Sequence, residues 1–287
     1  MLARWLLLIV LVTATFAGAA PVLALIAMIV VVSFLIAAAN SSPRPADTRL
    51  AAGALVLLWL CEIAAAWLTI LVFMPFERWL MRRDVAASRA GLPSVLLIHG
   101  YVNNAGSMFI LWRAIKNAGH AVHTVNLEPV YADIDSYASR IEARLAAIQA
   151  EAGGQAVVLV CHSMGGLAAR AYLRKYGAAR VAGLVTLGTP HAGTVLANTA
   201  LGENGRQMRP GSAWLAGLAH FENARWSCKV VSFYSHDDNI VAPQLSGRLE
   251  GAHNIALSGL GHISLPMSGA VAAQVIAEIA EIAGDST

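Results

Sequence analysis

The sequence is short of charge, and the shortage is uneven along the chain. Charged residues make up 13% of the 287 residues, against about 25% in a typical soluble protein. Only five of them precede residue 77: Arg4, Arg44, Asp47, Arg49 and Glu62. The net charge is +3 and no basic block interleaved with aromatics occurs, which argues against a nucleic-acid-binding protein. The composition therefore indicates an apolar N-terminal region ahead of an ordinary globular domain.

Cysteine is also scarce. The chain has three, Cys61, Cys161 and Cys228, and they form no Cys-x-x-Cys pair and no Cys/His ligand spacing. Disulfide-stabilised and thiolate-metal proteins carry such pairs. We therefore expect no structural disulfide, no metal site and no cofactor.

The first 39 residues are the most apolar part of the chain. Residues 5–39 carry no charge, and as a helix they would reach roughly 50 Å, against ~30 Å for a bilayer core. Three interpretations remain open. Pro21, with Gly18 nearby, divides the run into two spans; the run is one span with an apolar extension; or the chain begins with a signal peptide.

A second apolar run, residues 50–76, is long enough to span a membrane and is interrupted only by Glu62. A carboxylate within a membrane usually faces another helix or water. We expect Glu62 either to face the neighbouring helix of a small bundle or to have no role.

Residues 1–83 are therefore predicted to be a transmembrane region with two or three spans, about 5–39 and 50–76. Basic residues follow the second run: Arg78, Arg82, Arg83 and Arg89. They favour a cytoplasmic catalytic domain, whereas three spans starting inside would place that domain on the opposite face. The face of the membrane remains open.

Residues 94–287 alternate between short apolar runs and helical patterns. Strands are predicted at 94–98, 121–125, 156–161, 181–187, 229–234 and 254–257, and the clearest helices at 107–118, 134–150, 164–176 and 265–282. This alternation predicts an α/β domain with a mostly parallel sheet of about six strands and helices on both faces. Residues 191–227 are interpreted as an insertion over the active site.

The strongest chemical motif is Cys161-His162-Ser163-Met164-Gly165-Gly166. It lies between a predicted buried strand and a helix, the context of a nucleophile elbow. The tight turn needs small residues two positions before and after the serine, and Cys161 and Gly165 satisfy this. Ser163 is therefore the predicted nucleophile.

A serine needs a general base, and in this kind of fold the order is serine, acid, histidine. His262 follows the last strand in a glycine-rich loop, and Asp237 and Asp238 follow the preceding strand. Order alone predicts His262 as the base but leaves the two aspartates open as the acid.

An oxyanion hole needs two backbone N–H groups near the nucleophile. We expect them from Met164, directly after Ser163, and from Tyr101, in the loop after the first strand. Among the other histidines, His191 is assigned to the wall of the substrate-binding pocket. His162 is expected to pack beside the elbow, and His99 to brace its loop by hydrogen bonding.

Four segments together resemble a known family: 161–166 (CHSMGG), 187–194 (LGTPHAGT), 233–241 (FYSHDDNIV) and 251–265 (GAHNIALSGLGHISL). They are similar to the bacterial class 2 lipases, over roughly residues 94–287. The resemblance implies the α/β-hydrolase fold with Ser163, Asp238 and His262 as triad, and Tyr101 and Met164 as oxyanion donors. The small secreted lipases of that family have no counterpart of the apolar N-terminal region.

The expected function is a serine hydrolase that cleaves carboxylic esters of lipids, or other acyl esters, through an acyl-enzyme. Its expected partners are an acyl-ester substrate and the lipid bilayer, with no nucleic acid, and its expected location is the bacterial inner membrane as an integral protein. A thioesterase or acyltransferase with the same triad is the alternative. A non-catalytic membrane scaffold is less favoured, because a scaffold need not keep the triad order and both oxyanion positions.

Overall fold

The computed structural model describes residues 2–81, 88–89, 91–151, 154–222 and 228–284, and of residues 2–17 and 221–222 the backbone alone. Arg82 and Arg83 of the basic cluster lie outside the described residues, as do residues 223–227 at the end of the insertion. The described chain forms two long N-terminal helices packed on an α/β domain.

The N-terminal helices are α1 (Leu2–Ala39) and α2 (Ala52–Leu68), with a π-helical segment (Thr69–Phe73) continuing α2. A short helix, α3 (Glu77–Leu80), follows. Pro21 lies inside α1, and the helix is not divided there.

Contacts between α1 and α2 make them an antiparallel hairpin. Trp67 Nε1 donates to the Leu23 carbonyl at 3.0 Å, and the rings of Phe34 and Trp59 stack with centroids 5.1 Å apart. Leu23 meets Trp67, whereas Phe34, later in α1, meets Trp59, which is earlier in α2. The two helices therefore run in opposite directions.

Two segments of the hairpin are apolar enough to cross a membrane. Gly18–Ala39 and Ala52–Phe73 are each 22 residues long, with mean hydropathies of 3.0 and 2.3. This finding rests on length and composition, which a signal sequence or a buried core helix also satisfies.

Six parallel strands form one sheet in the order β2-β1-β3-β4-β5-β6 among the described residues. They are β1 (Val95–Ile98), β2 (Val122–Val125), β3 (Val157–His162), β4 (Val181–Leu187), β5 (Lys229–Ser235) and β6 (His253–Leu257). All six predicted strands are present, each within one residue of its predicted ends.

The sheet is covered on both faces, which explains the continuous apolar runs in its strands. The covering helices are α4 (Phe109–Asn117), α5 (Ile134–Glu151), α6 (Met164–Tyr176) and α9 (Gly269–Gly284). In β1, Leu96 and Ile98 pack in the core under α5 and α6, whereas Val95 and Leu97 pack in the core under α4 and α9. Alternate residues of one strand therefore serve two hydrophobic cores.

The segment after β4 carries two further helices, α7 (Gly202–Gln207) and α8 (Ala213–Glu222). Buried amides tie it to the loop after β2: Asn204 Nδ2 donates to the Val130 carbonyl at 2.8 Å, and Gln207 Oε1 accepts from the Ile134 N–H at 2.8 Å. The Tyr101 hydroxyl, after β1, bonds both the N–H and the carbonyl of Leu201 at 2.9 Å. The insertion thus packs on loops at the carboxyl ends of the first two strands.

Candidate active site

Ser163 occupies a sharp turn between the third strand and the following helix. β3 ends at His162 and α6 begins at Met164, so Ser163 alone makes the connection. Its φ is 56° and its ψ is −129°. Residues other than glycine adopt a backbone conformation with this positive φ only under strain. A hydrogen bond to the neighbouring strand helps to hold this turn: the Ser163 N–H donates to the Leu187 carbonyl of β4 at 2.9 Å.

Glycines let this turn pack against the first strand. A Cβ on Gly165 would lie 2.3 Å from the Ile98 carbonyl oxygen, and a Cβ on Gly100 would lie 2.8 Å from Ser163 Cβ. Both distances are shorter than a van der Waals contact, so a side chain at either position would clash. Glycine at these two positions therefore allows the elbow and the loop after β1 to meet.

The three predicted triad residues lie together at the carboxyl ends of β3, β5 and β6. Ser163 Oγ is 2.9 Å from His262 Nε2. His262 Nδ1 is 2.9 Å from Asp238 Oδ2 and 3.1 Å from Oδ1. All three side chains are buried. This is a continuous hydrogen-bonded chain of hydroxyl, imidazole and carboxylate.

The carboxylate of Asp238 is fixed by more than the histidine. Its Oδ1 also accepts from the N–H groups of Ile240 and Val241, at 2.8 and 2.7 Å. Burial lowers the pKa of His262, but the charge and hydrogen bond of Asp238, with a further contribution from the Glu62 carboxylate, raise that pKa above its ordinary value overall. The surroundings of His262 therefore favour its protonated imidazolium form.

The two adjacent aspartates point to different partners. Asp237 Oδ1 pairs with Arg44 Nη1 at 2.6 Å, and its Oδ2 accepts from the Gly259 N–H at 2.7 Å. Asp237 therefore ties a turn and an arginine together, and Asp238 is the one that contacts His262.

The two residues expected to stabilise an oxyanion lie next to residues of the elbow in the chain: Met164 directly follows Ser163, and Tyr101 follows Gly100, which packs against Ser163. Met164 is the first residue of α6, where N–H groups have no partner inside the helix. Within the described residues, neither the Met164 N–H nor the Tyr101 N–H donates to any other group. Two free donors are thus available near the nucleophile.

His162 and His99 brace the site and do not titrate near neutral pH. His162 Nε2 donates to the His262 carbonyl at 3.0 Å, and burial is the main cause that lowers its pKa to about 3. His99 Nδ1 donates to the Gly100 carbonyl at 2.8 Å while its Nε2 accepts from the Leu127 N–H, and burial lowers its pKa to about 4. The bracing expected of His99 is present.

His191, which the sequence assigns to the wall of the substrate pocket, lies in a buried hydrogen-bonded network. Both of its ring nitrogens are engaged inside the protein: Nδ1 lies 3.2 Å from Arg170 Nη1, and Nε2 lies 3.2 Å from the hydroxyls of Thr186 and Ser232. Burial lowers the pKa of His191 well below its ordinary value. Both ring nitrogens are therefore engaged inside the protein, and the assignment of His191 to the pocket wall stays a prediction.

Sequence reasoning missed a carboxylate beside the catalytic loops. Glu62, in the middle of α2, does not face α1 as expected; its two oxygens accept from the N–H groups of Ile263 and Ser264, directly after His262. The only signal in the sequence was one acid in an otherwise uncharged run. The loop that donates to Glu62 begins 201 positions later in the sequence, and no sequence pattern links the two.

Comparison with known proteins supports the fold. Residues 94–215 match the family model of palmitoyl protein thioesterase. The mature lipase BlEst2 of Bacillus licheniformis superposes with a TM-score of 0.61 at 18% identity, over 68% of this chain and 95% of that one. This chain has the α/β-hydrolase fold.

Other solved structures share this architecture at similarly low identity. Lipase B of Aspergillus fumigatus gives a TM-score of 0.52 at 18% identity, over 61% of this chain and 44% of that one. A bromoperoxidase from Bacillus anthracis gives 0.53 at 14% identity, over 68% and 93%. No curated protein sequence matches this chain significantly. The predicted resemblance to bacterial lipases is confirmed as a resemblance of fold.

Proposed function

We propose that the protein is a serine hydrolase that cleaves acyl esters through an acyl-enzyme, with Ser163 as nucleophile, His262 as base and Asp238 as acid. The observation that carries the proposal is the hydrogen-bonded chain from Ser163 Oγ through the His262 ring to Asp238, with both links at 2.9 Å. A strained serine at a strand–helix junction serves this chemistry, because the turn directs its hydroxyl towards the base.

In the proposed mechanism, Ser163 Oγ attacks the acyl carbonyl carbon while His262 Nε2 takes the hydroxyl proton. Asp238 keeps the proton on Nδ1 and stabilises the imidazolium. The carbonyl oxygen becomes an oxyanion that accepts from the N–H groups of Tyr101 and Met164, each such donor contributing on the order of 10²–10³ in kcat. His262 then protonates the departing group, and water repeats the sequence to release the acid.

Two leaving groups are compatible with this site. Lipases among the structural neighbours favour an oxygen ester, whereas the match of residues 94–215 to palmitoyl protein thioesterase favours a thioester. An alkoxide leaves poorly unless it is protonated, whereas a thiol has a pKa of about 8.5 and leaves more easily. Because His262 can protonate a departing alkoxide in the proposed mechanism, we propose an acyl-ester hydrolase, with thioester hydrolysis as the second candidate function. An acyltransferase would replace water with an alcohol or amine acceptor.

A matched substrate panel tests the proposal. We expect purified full-length protein to hydrolyse p-nitrophenyl esters. The panel also compares an oxygen ester with a thioester that carries the same acyl chain, and we expect the oxygen ester to be hydrolysed faster. Ser163→Ala should remove turnover of every substrate by several powers of ten. Hydrolysis by Ser163→Ala near the wild-type rate rejects the serine mechanism, and preference between the matched pair separates the two candidate functions.

We further propose that the N-terminal hairpin binds membrane lipid with its outward face. That face carries exposed apolar side chains along both helices, among them Leu25, Met28, Ile29, Leu35, Val56, Leu57 and Leu60. A patch of this kind on two neighbouring helices is unfavourable in water and matches a lipid phase.

The segment that contains α2 contacts the catalytic domain at three places. Leu50 lies beside Gly259 at one end of α2, Glu62 bonds the His262 loop in the middle, and Met74 bonds Asn104 at the other end. A hairpin standing upright across a bilayer would carry this polar domain into the hydrocarbon. These contacts favour a hairpin embedded in one leaflet, which holds the active site at the membrane surface.

A further inference from the structure

A buried carboxylate from the N-terminal hairpin reaches the loop that carries the catalytic histidine. Glu62 is completely buried, in a helix with no other charged residue. A buried carboxylate is costly unless hydrogen bonds compensate it. Its compensation comes from the catalytic domain: Oε1 accepts from the Ile263 N–H at 2.5 Å, and Oε2 accepts from the Ser264 N–H at 3.0 Å.

The histidine loop is shaped to receive this carboxylate. A Cβ on Gly261 would lie 2.5 Å from Glu62 Cδ and from its Oε2. Only glycine at position 261 therefore lets the carboxylate approach the backbone on both sides of His262. The loop meets Glu62 with one glycine before the histidine and two N–H donors after it.

Two further contacts from the same N-terminal region hold the neighbouring acid loop. Ser33 of α1 accepts from Asn239 Nδ2 at 2.7 Å, and Asn239 Oδ1 accepts from the His262 N–H at 3.0 Å. Arg44, between α1 and α2, pairs with Asp237. The hairpin region thus bonds the residues on both sides of Asp238 and the two residues that follow His262.

From this geometry we infer that Glu62 is a positioning residue for His262, so that the N-terminal hairpin completes the active site and is more than an anchor. The inference rests on the proposed serine hydrolase function. Glu62 touches neither substrate nor Ser163; it fixes the backbone from which the imidazole projects. A shift of about 1 Å in a catalytic group costs on the order of 10²-fold in rate, and the two hydrogen bonds from Glu62 oppose such a shift here.

The groups around the His262 imidazole show how Glu62 affects its pKa. Asp238 faces Nδ1, Ser163 faces Nε2, and the His162 ring lies 4.7 Å away from the His262 ring and stays neutral. Glu62 and Asp238 therefore both favour the imidazolium, while His162 does not. Loss of the Glu62 charge should move the titration of His262 to lower pH.

Full-length variants in detergent test this inference. Glu62→Ala should lower kcat roughly ten- to hundredfold with KM nearly unchanged, and Glu62→Gln, which keeps one acceptor oxygen, should restore part of the loss. Glu77→Ala is the matched control, because Glu77 also joins the N-terminal region to the catalytic domain, through Asn126, but lies away from the triad. It should leave kcat unchanged.

A histidine NMR titration gives a second readout that does not require turnover. The pKa of His262 should be lower in Glu62→Gln than in wild type, because the carboxylate that helps to raise it is gone. Folded Glu62→Ala with kcat within about twofold of wild type overturns the inference. If Glu62→Ala does not fold, Glu62→Gln with both kcat and His262 titration unchanged overturns it.

A different set of results is expected if the protein is not a serine hydrolase. In that case wild-type protein neither hydrolyses esters nor reacts at Ser163 with a fluorophosphonate. The His262 titration then decides on Glu62 alone: an unchanged pKa in Glu62→Gln removes its role, and a lowered one keeps it.

Discussion

The adjacent residues Asp237 and Asp238 have separate tasks in this structure. Asp238 reaches the His262 ring, whereas Asp237 bonds Arg44 and the Gly259 N–H. Chain order left both open as the acid, and only the resemblance to class 2 lipases favoured Asp238. The difference arises from the turn after β5, which directs neighbouring side chains to opposite sides.

Substitution of each aspartate by asparagine measures this difference. Asp238→Asn should lower kcat by on the order of 10³–10⁴, because the imidazole loses its charged partner and its tautomer. Asp237→Asn serves as the matched control and should cost less than about tenfold. The opposite ranking in folded, purified variants would assign the acid to Asp237.

The loss of activity at low pH should follow the protonation of His262. The base must be neutral to accept the serine proton, and its pKa is raised above the ordinary value of about 6.5. Activity should therefore rise with pH through a midpoint above 6.5, and be lost on acidification below it. A rate that stays flat between roughly pH 5 and 9 would remove histidine as the base.

At the scale of elements, the sequence predicted the sheet well and the hairpin contacts poorly. Strands buried on both faces are short continuous apolar runs, so all six were visible, and the serine elbow followed from a motif at a strand–helix junction. Contacts of the hairpin with the catalytic domain join residues such as Glu62 and Ile263, 201 positions apart. Amphipathic periodicity predicts that a helix has a buried face but does not identify what covers it.

His191 illustrates a second limit of the sequence. Its position after β4, in a segment similar to lipases, favoured a place in the substrate pocket. The neighbours that occupy its nitrogens, Arg170, Thr186 and Ser232, come from three separate elements. Only the packed fold brings a buried network of this kind together.

Labelling from one side of a sealed vesicle tests how the hairpin meets the membrane. Asn40→Cys marks the connection between α1 and α2, and Arg206→Cys marks an exposed site on the catalytic domain. Both substitutions are made in a Cys61→Ala background. In a hairpin embedded in one leaflet, a membrane-impermeant maleimide should reach both sites from the same side. Labelling of the two sites from opposite sides would show that the hairpin spans the bilayer.

In the whole molecule, direct hydrogen bonds join the proposed hydrolase site to the hairpin that we propose binds lipid. The catalytic loops after β5 and β6 contact the inner face of the hairpin, and the outer face is apolar. Such an arrangement suits an enzyme whose substrate carries an acyl chain, because the surface that holds the protein also contains the substrate. The central claim on which all of this depends is that Ser163 is an activated nucleophile.

The most direct test is to locate the adduct of a fluorophosphonate by mass spectrometry in full-length protein. We expect a single adduct on the peptide that contains Ser163, absent from Ser163→Ala and formed far more slowly by His262→Ala, because the serine hydroxyl is a weak nucleophile without its base. Cys161, two residues away, should stay unmodified, since burial raises the pKa of its thiol well above the ordinary value. Stoichiometric labelling of another residue, or hydrolysis that persists in Ser163→Ala, would contradict the account.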